Sequence, residues 1–294
     1  MDESNWLAQR FEENRGHMRG VAYRMLGSLS EADDAVQEAW LRLSRSEPSG
    51  IQNLSGWLTT VVARVCLDML RSRKSRGEES LDARVTEPVA DKAATADPEQ
   101  EVLLADSVGI ALLVILDRLT PAERLAFVLH DVFAVSFEEI APIVDRTPAA
   151  ARQLASRARR RVQGTDSIPS ASRAEQREVV DAFLAALRRG DVEGLVSVLD
   201  PDVLVRVDEA GGRPGAPREI RGARNWAKGA IAFSQAARFA QAALVDGVPG
   251  AVFAPGGKLH SALRFTITLG KIVQVDVIAN PVRVREIDLA VFED

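Results

Sequence analysis

Three helix starts crowd into the stretch from Thr120 to Pro148 and leave that part of the chain little choice of local fold. Thr120-Pro121-Ala122-Glu123 sets out a capping hydroxyl, a first-turn proline and a glutamate three residues on, and Ser136-Phe137-Glu138-Glu139 repeats the capping-box arrangement. Thr147-Pro148 opens a further helix directly after a short Asp145-Arg146 turn. Helices separated by so little chain pack as a compact pair, the geometry of a helix-turn-helix. In the last of them, Thr147 to Val162, the residues Ala151, Leu154, Ala158 and Val162 share a packing side and leave Arg152, Gln153, Ser156, Arg157 and Arg160 outward. Arginine matches guanine edges in the major groove and glutamine matches adenine, so this face has the composition of a recognition helix; a solvated arginine-rich helix is the plainer alternative. Pro148 removes an unsatisfied donor at the helix start and lets the backbone approach a phosphate.

A different helical region lies upstream, over residues 5–76. Apolar residues recur there at three- and four-residue spacing, as in Ala32, Val36, Trp40 and Leu43, or Leu58, Val62, Val65 and Met69. Ser30, followed by Glu31 and Asp33, is read as a helix start, and Ser46-Glu47-Pro48-Ser49-Gly50 as a loop. The helix from Leu54 to Arg73 has a second, polar face made of Trp57, Thr60, Arg64, Asp68 and Arg71. A solvated surface is one reading of it. The other is nucleic acid: tryptophan stacks on unpaired bases, the basic end with Arg71, Arg73 and Lys74 meets phosphates, and the loop before the helix, ending at Asn53, is placed to accept an extruded base.

Charge is distributed to match. The net charge of −5 excludes a uniformly basic coat, yet cations cluster from Arg71 to Arg76 and at Arg157 with Arg159-Arg160-Arg161. Between Gly77 and Glu101 the chain is acidic and punctuated by proline, which reads as a linker lasting to about Asp97-Pro98, where a new helix is capped. No apolar run approaches the roughly 20 residues of a membrane span, and the acidic amino terminus is unlike a secretion signal; the expected location is the cytoplasm. Cys66 is the sole cysteine, which excludes an intrachain disulfide and a cysteine-rich zinc site, and it reads as a buried apolar residue. No cofactor or metal is expected.

After Arg173 the pattern changes. An amphipathic helix carrying Val179, Phe183 and Leu187 ends at Gly190, and a short one follows over residues 192–199. Alternating segments come next, at residues 203–207, 237–245, 251–253 and 259–277, the last broken at Gly270-Lys271. Helices followed by an antiparallel sheet make an α+β domain. Trp226, Phe233, Phe239, Phe253 and Phe265 are the expected filling, or the lining of a ligand pocket.

Family resemblances add to this reading. Ala32-Asp33-Asp34-Ala35-Val36-Gln37-Glu38-Ala39-Trp40-Leu41-Arg42 resembles the polymerase-binding segment of extracytoplasmic-function sigma factors, and Gly56-Trp57-Leu58 through Asp68-Met69-Leu70-Arg71 resembles their −10 helix. The resemblance implies that Asp33, Asp34, Gln37, Glu38 and Leu41 meet the β′ clamp of core RNA polymerase, whose β subunit is a further partner. It also implies that Asn53, Trp57, Arg64, Asp68, Arg71, Arg73 and Lys74 meet the −10 element. The helix-turn-helix resembles the −35 reader of the same group, with Pro148, Arg152, Gln153, Ser156, Arg157 and Arg160 on DNA. The linker would thread polymerase channels as an acidic mimic of nucleic acid, and Val85-Thr86-Glu87-Pro88 partly resembles a linker motif of one sigma subgroup.

Ala182 to Asp191 with Leu199-Asp200-Pro201-Asp202-Val203 resembles the opening of SnoaL-like domains of the NTF2-like fold, a cone of helices against a curved sheet. The sigma subgroup with such a tail carries Asp-Gly-Gly-Gly-Lys and Asn-Pro-Asp-Lys motifs. Asp208 to Arg213 and Asn280-Pro281-Val282-Arg283 stand in their places, each altered. The resemblance implies an interdomain regulatory role for Asp208, Gly211, Gly212, Arg213, Asn280, Pro281 and Arg283.

The expected organisation is therefore region 2 over residues 1–76, a linker over 77–104, region 4 over 105–163, a short linker over 164–172 and a SnoaL-like domain over 173–294. This describes a non-enzymatic sigma factor with a regulatory tail. One alternative is a one-component helix-turn-helix regulator whose tail senses a small molecule. Another is a SnoaL-type enzyme on a DNA anchor, with Asp208, His260 and Asp276 as the residues open to acid-base work.

Overall fold

The computed structural model describes residues 3–45, 53–79, 109–164, 170–208 and 219–292. It divides into two compact units, Met1–Glu101 with Leu116–Arg159, and Val102–Ile115 with Arg160–Asp294. The expected linker over 77–104 starts within a helix that runs on to Glu79, and the rest of it, with its Val85 to Pro88 motif and the Asp97-Pro98 cap, lies outside the described residues.

In the first unit, α1 (Glu3–Leu26), α2 (Leu29–Leu43) and α3 (Leu54–Glu79) pack on one another. Their shared core holds Phe11, Met18, Met25, Leu29 and Cys66 together with Ala32, Val36, Leu43, Leu58, Val62 and Val65 of the two spaced sets, while Trp40 and Met69 of those sets are half-buried. The start of α2 differs from the sequence reading: Ser28, not Ser30, takes the cap, with extended backbone and its hydroxyl accepting from Glu31 N. Gly27, at φ +75°, reverses the chain just before it, and Ser30 is already in the first turn.

The next helices are α4 (Ile110–Asp117), α5 (Pro121–Phe127), α6 (Phe137–Ile140) and α7 (Pro148–Gln163). Both capping boxes form, at Thr120 with Glu123 and at Ser136 with Glu139. Each satisfies two otherwise orphaned backbone donors. Thr147 caps α7, its hydroxyl accepting from Ala150 N at 3.3 Å. Helix α5 runs into a π turn over Val128–Val132, while α6 is a single turn followed by irregular turns to Asp145, which has φ 55°. Ile110, Ala111, Leu113, Val114, Ile115 and Leu116 are all buried, so α4 is apolar all round, and the division between the units falls within it.

The second unit contains α8 (Ser170–Arg189), α9 (Val192–Val198), β1 (Leu199–Val207), β2 (Glu219–Arg221), α10 (Ala223–Ala230), β3 (Ala240–Val245), β4 (Val248–Phe253), β5 (Ser261–Thr268), β6 (Lys271–Ile278), α11 (Pro281–Glu286) and β7 (Leu289–Ala290). The sheet order is β2-β1-β6-β5-β4-β3-β7. It is mixed rather than antiparallel, because β1 and β6 pair in parallel; the long connection between them permits this where a hairpin would not. Helices against one face of this sheet make the expected α+β cone. Phe183 stacks on Trp226 at 5.6 Å and meets Phe265 edge-on at 5.1 Å in its core. Phe253 packs at the edge of that core, but Phe233 is 60% exposed on a 3-10 turn, contrary to its expected burial. The third strand begins at Ala240 rather than Ala237, since residues 236–239 form another 3-10 turn that Arg188 fastens by donating to the Ala237 and Ala240 carbonyls.

Two further contacts in this unit tie its sheet domain to the segments on either side of residues 116–159. The Gln241 side chain on β3 accepts from Ala111 N at 2.7 Å, and Val291 N donates to the Val162 carbonyl at 2.9 Å. Gly109, at φ +80°, lies against the same glutamine.

Candidate polymerase and promoter-DNA interfaces

Helix α2 turns Ala32, Ala35, Val36 and Ala39 inward, which forces Asp33, Asp34, Gln37 and Leu41 onto its exposed side with Glu38 half-buried beside them. Two of these acids have intradomain partners. Asp33 pairs with Arg19 at 2.7 Å and Glu38 with Arg42 at 3.0 Å. Exposed pairs of this kind are worth no more than about 1 kcal/mol, so both carboxylates remain available to a cationic surface.

Along α3, Arg64, Asp68 and Arg71 are exposed and Trp57 is half-buried on the polar face, with Asp68 and Arg71 4.0 Å apart. Asn53 sits at the helix start, its side-chain oxygen accepting from Gly56 N at 3.0 Å. Arg73 is engaged within the domain: it donates to the Leu26 carbonyl at 3.3 Å and pairs with Glu31. A cation at the carboxyl end of α1 is electrostatically favoured there. Lys74 lies in the helix, and its side chain is outside the described residues.

Helix α7 buries Ala151, Ala155, Ala158 and Val162 and exposes Pro148, Arg152, Gln153, Ser156, Arg157 and Arg160. Three arginines on it are oriented by neighbours. The Arg152 guanidinium lies over the Phe137 ring at 5.2 Å, Arg159 pairs with Asp131, and Arg157 Nε donates to Glu123 at 3.1 Å. Glu123 is only 4% exposed and also closes the Thr120 capping box, so the cap of α5 and the outward face of α7 share one carboxylate. Sequence reasoning missed Glu123 in this second role, as well as Arg124 next to it, which is 2% exposed. A buried arginine inside a run such as Ala122 to Phe127 has no periodic signature.

In the second unit Asp208 accepts from the backbone N–H of Ala279 and Asn280 at 2.9 and 2.8 Å. Asn280 then caps α11, accepting from Val282 N and Arg283 N, with Pro281 in the first turn and Arg283 4.0 Å from Asp208. The structure thus brings Asp208, Asn280, Pro281 and Arg283 together; Gly211, Gly212 and Arg213 lie outside the described residues. The three residues considered for acid-base work are separately engaged or exposed: Asp208 on backbone donors, Asp276 with Arg264 at 3.0 Å, and His260 exposed. Among the described residues no group of three or more His, Cys, Asp or Glu is arranged to hold a metal ion, and no helix is long and apolar enough to cross a membrane.

Titration follows burial. Desolvation pushes the Cys66 thiol up to about 12 and the Arg124 guanidinium down to about 10, and it lowers His17 from its ordinary value.

Known proteins match this arrangement segment by segment. The family model for sigma-70 region 2 matches residues 10–76, and that for sigma-70 region 4 matches residues 110–162. The chain is 40% identical over 286 residues to the ECF RNA polymerase sigma factor SigJ of Mycobacterium tuberculosis, covering 92% of this chain and 91% of that one. It is 33% identical over 284 residues to the probable sigma factor SigI of the same species, covering 96% of each. A crystal structure of SigJ matches 94% of this chain and 97% of its own at 36% identity, with a TM-score of 0.46. With region 2 and region 4 in order and a relative that spans nearly its whole length, the chain belongs to the extracytoplasmic-function family of RNA polymerase sigma factors.

Proposed function

We propose that this sigma factor docks on the clamp of core RNA polymerase through the exposed acidic side of α2, holds the −10 element with α3 and the −35 element with α7, and is regulated in cis by its carboxy-terminal domain. The observation that carries the reading is the sidedness of these helices: each turns its apolar side to a core and leaves most of the polar set implied by the family on solvent, with Glu38, Trp57 and Arg73 half-buried. Trp57 stacks on unpaired bases, the arginines of α7 read base edges and phosphates, and the acids of α2 supply the polymerase contact. The protein works in the cytoplasm, where polymerase and promoter are, and performs no chemistry itself.

The regulatory part is supported by the Asp208 link to the start of α11 and by the contacts of Gln241 with Ala111 and of Val291 with Val162. The latter two contacts join the tail to the two ends of the segment that carries the −35 reader, which supports a regulatory link through the chain itself. A small molecule held by the cone would act through the same contacts.

The test uses two substitutions with separate readouts. Asp34→Arg is expected to lose core polymerase in a pull-down while the fold is retained, because reversing an exposed charge changes stability by no more than about 0.5 kcal/mol. Trp57→Ala is expected to weaken permanganate reactivity of the melted region more than duplex binding. Unchanged polymerase recovery together with an unchanged footprint would return both helices to solvated surfaces. A one-component regulator would instead bind an operator duplex alone and gain nothing from polymerase.

A further inference from the structure

Arg152 is held differently from the other oriented arginines of α7. Arg157 and Arg159 spend N–H donors on the carboxylates of Glu123 and Asp131. The Arg152 guanidinium instead lies 5.2 Å from the centroid of the Phe137 ring, and among the described residues it has neither an ion pair nor a hydrogen bond. Attraction to the face of a ring acts on the cation as a whole, so its N–H donors remain available to a ligand.

The ring beneath it is itself fixed. Phe137 is the first residue of α6 and only 9% exposed. His130, from the π turn over Val128–Val132, stacks on it with ring centroids 3.9 Å apart. The imidazole is tied in turn to the backbone, with Nδ1 3.0 Å from the Val135 carbonyl; a carbonyl oxygen only accepts, so Nδ1 carries the hydrogen. A chain of contacts thus runs from the backbone at Val135 through His130 and Phe137 to a guanidinium on solvent.

Arg152 is the fifth residue of α7, and residues near the start of a recognition helix reach deepest into the major groove. There a planar fork with free donors matches O6 and N7 of guanine as a bidentate pair. A side chain ordered before binding also gives up less freedom when it binds.

We propose that Phe137 is a positioning residue for promoter specificity: its ring presents the Arg152 guanidinium to one guanine of the −35 element, while Phe137 itself stays in the core. The proposal rests on the assignment of α7 to the −35 element above.

The test measures binding of the full chain, with core polymerase, to a promoter fragment that it transcribes and to fragments in which each −35 base pair is replaced in turn. Arg152→Ala is expected to become insensitive to replacement at one position, a G·C pair, and to keep the penalties at the others. Phe137→Leu keeps an apolar side chain in the core, leaves the Ser136 and Glu139 capping box in place and removes the aromatic face. It is expected to bind the unaltered promoter about threefold more weakly, with the penalty for replacing that G·C pair smaller by the same factor and the other penalties unchanged. Phe137→Tyr, which restores the ring, is expected to bind as the unsubstituted chain does, and Phe137→Leu is expected to cost nothing further in the Arg152→Ala background. The proposal is overturned by no loss in Phe137→Leu, by a loss that is equal on every fragment or persists without Arg152, or by a loss that Phe137→Tyr does not restore, since a ring that only supports the fold acts on all fragments alike. A uniform loss in Arg152→Ala overturns it too, because a phosphate contact carries no sequence information. Indifference of the unsubstituted chain to every −35 replacement would defeat the assignment of α7 itself, and the proposal with it.

Discussion

Replacing Glu123 by alanine should damage the fold and the −35 reader together. The buried carboxylate accepts from Thr120 N at 3.2 Å, from the Thr120 hydroxyl at 2.8 Å and from Arg157 Nε at 3.1 Å. Loss of a capping interaction costs about 1 kcal/mol, and hydrogen bonds to a charged group contribute about 1.5–3 kcal/mol when their partners are left buried. The Arg157 bond adds little to stability because the arginine is half exposed. The expected loss for Glu123→Ala is therefore about 2–4 kcal/mol, against about 1 kcal/mol for Glu123→Gln, which keeps an acceptor for Thr120. Urea denaturation followed by tryptophan fluorescence measures it, since Trp6, Trp40 and Trp57 all lie in the first unit. Both variants also release Arg157, so binding to duplex that carries the −35 element should weaken in each, even where stability is nearly kept. A change in stability below about 0.5 kcal/mol for Glu123→Ala, or −35 binding unaffected in both, would refute the shared role of this carboxylate.

Cys66 should resist thiol reagents in the native protein at pH 8, because it is buried and its thiol is pushed up to about 12; modification as fast as in urea would contradict its placement. Burial lowers the His17 pKa below its unfolded value near about 6.5, so its neutral form stabilises the fold above that pH and the contribution is lost as pH falls below it. The fall in stability between pH 7 and pH 5 should thus be smaller in His17→Gln, and an equal fall in both would remove His17 as its source. Asp208→Asn should loosen the start of α11, seen as faster amide exchange at Ala279 and Asn280, and should change promoter output in reconstituted transcription; unaltered exchange would refute the role of the carboxylate.

What the sequence made legible was local. The Thr120 and Ser136 capping boxes, the Thr147 cap and the inward faces of α2, α3 and α7 depend on residues three or four apart; the caps stand where the pattern puts them, and the faces do so except at Trp40, Met69 and Leu154, which are half-buried. Pairings between distant segments were not legible. The parallel neighbours β1 and β6, the short strands β2 and β7, and the helices α10 and α11 depend on tertiary contacts that no short window contains. The same holds for Arg73 and Arg124, which look like surface cations and instead bond carbonyls at the end of α1. The pattern put the start of α2 at Ser30, whereas the cap falls on Ser28, directly after the left-handed Gly27.

The most direct measurement of the central claim is transcription from genomic fragments with purified core polymerase, with and without this protein. Specific initiation is expected at a subset of fragments, dependent on the chain, abolished by Asp34→Arg, and sensitive to base changes at both the −10 and −35 positions. Specific binding of the same fragments by the chain alone, with no initiation when polymerase is supplied, would contradict it.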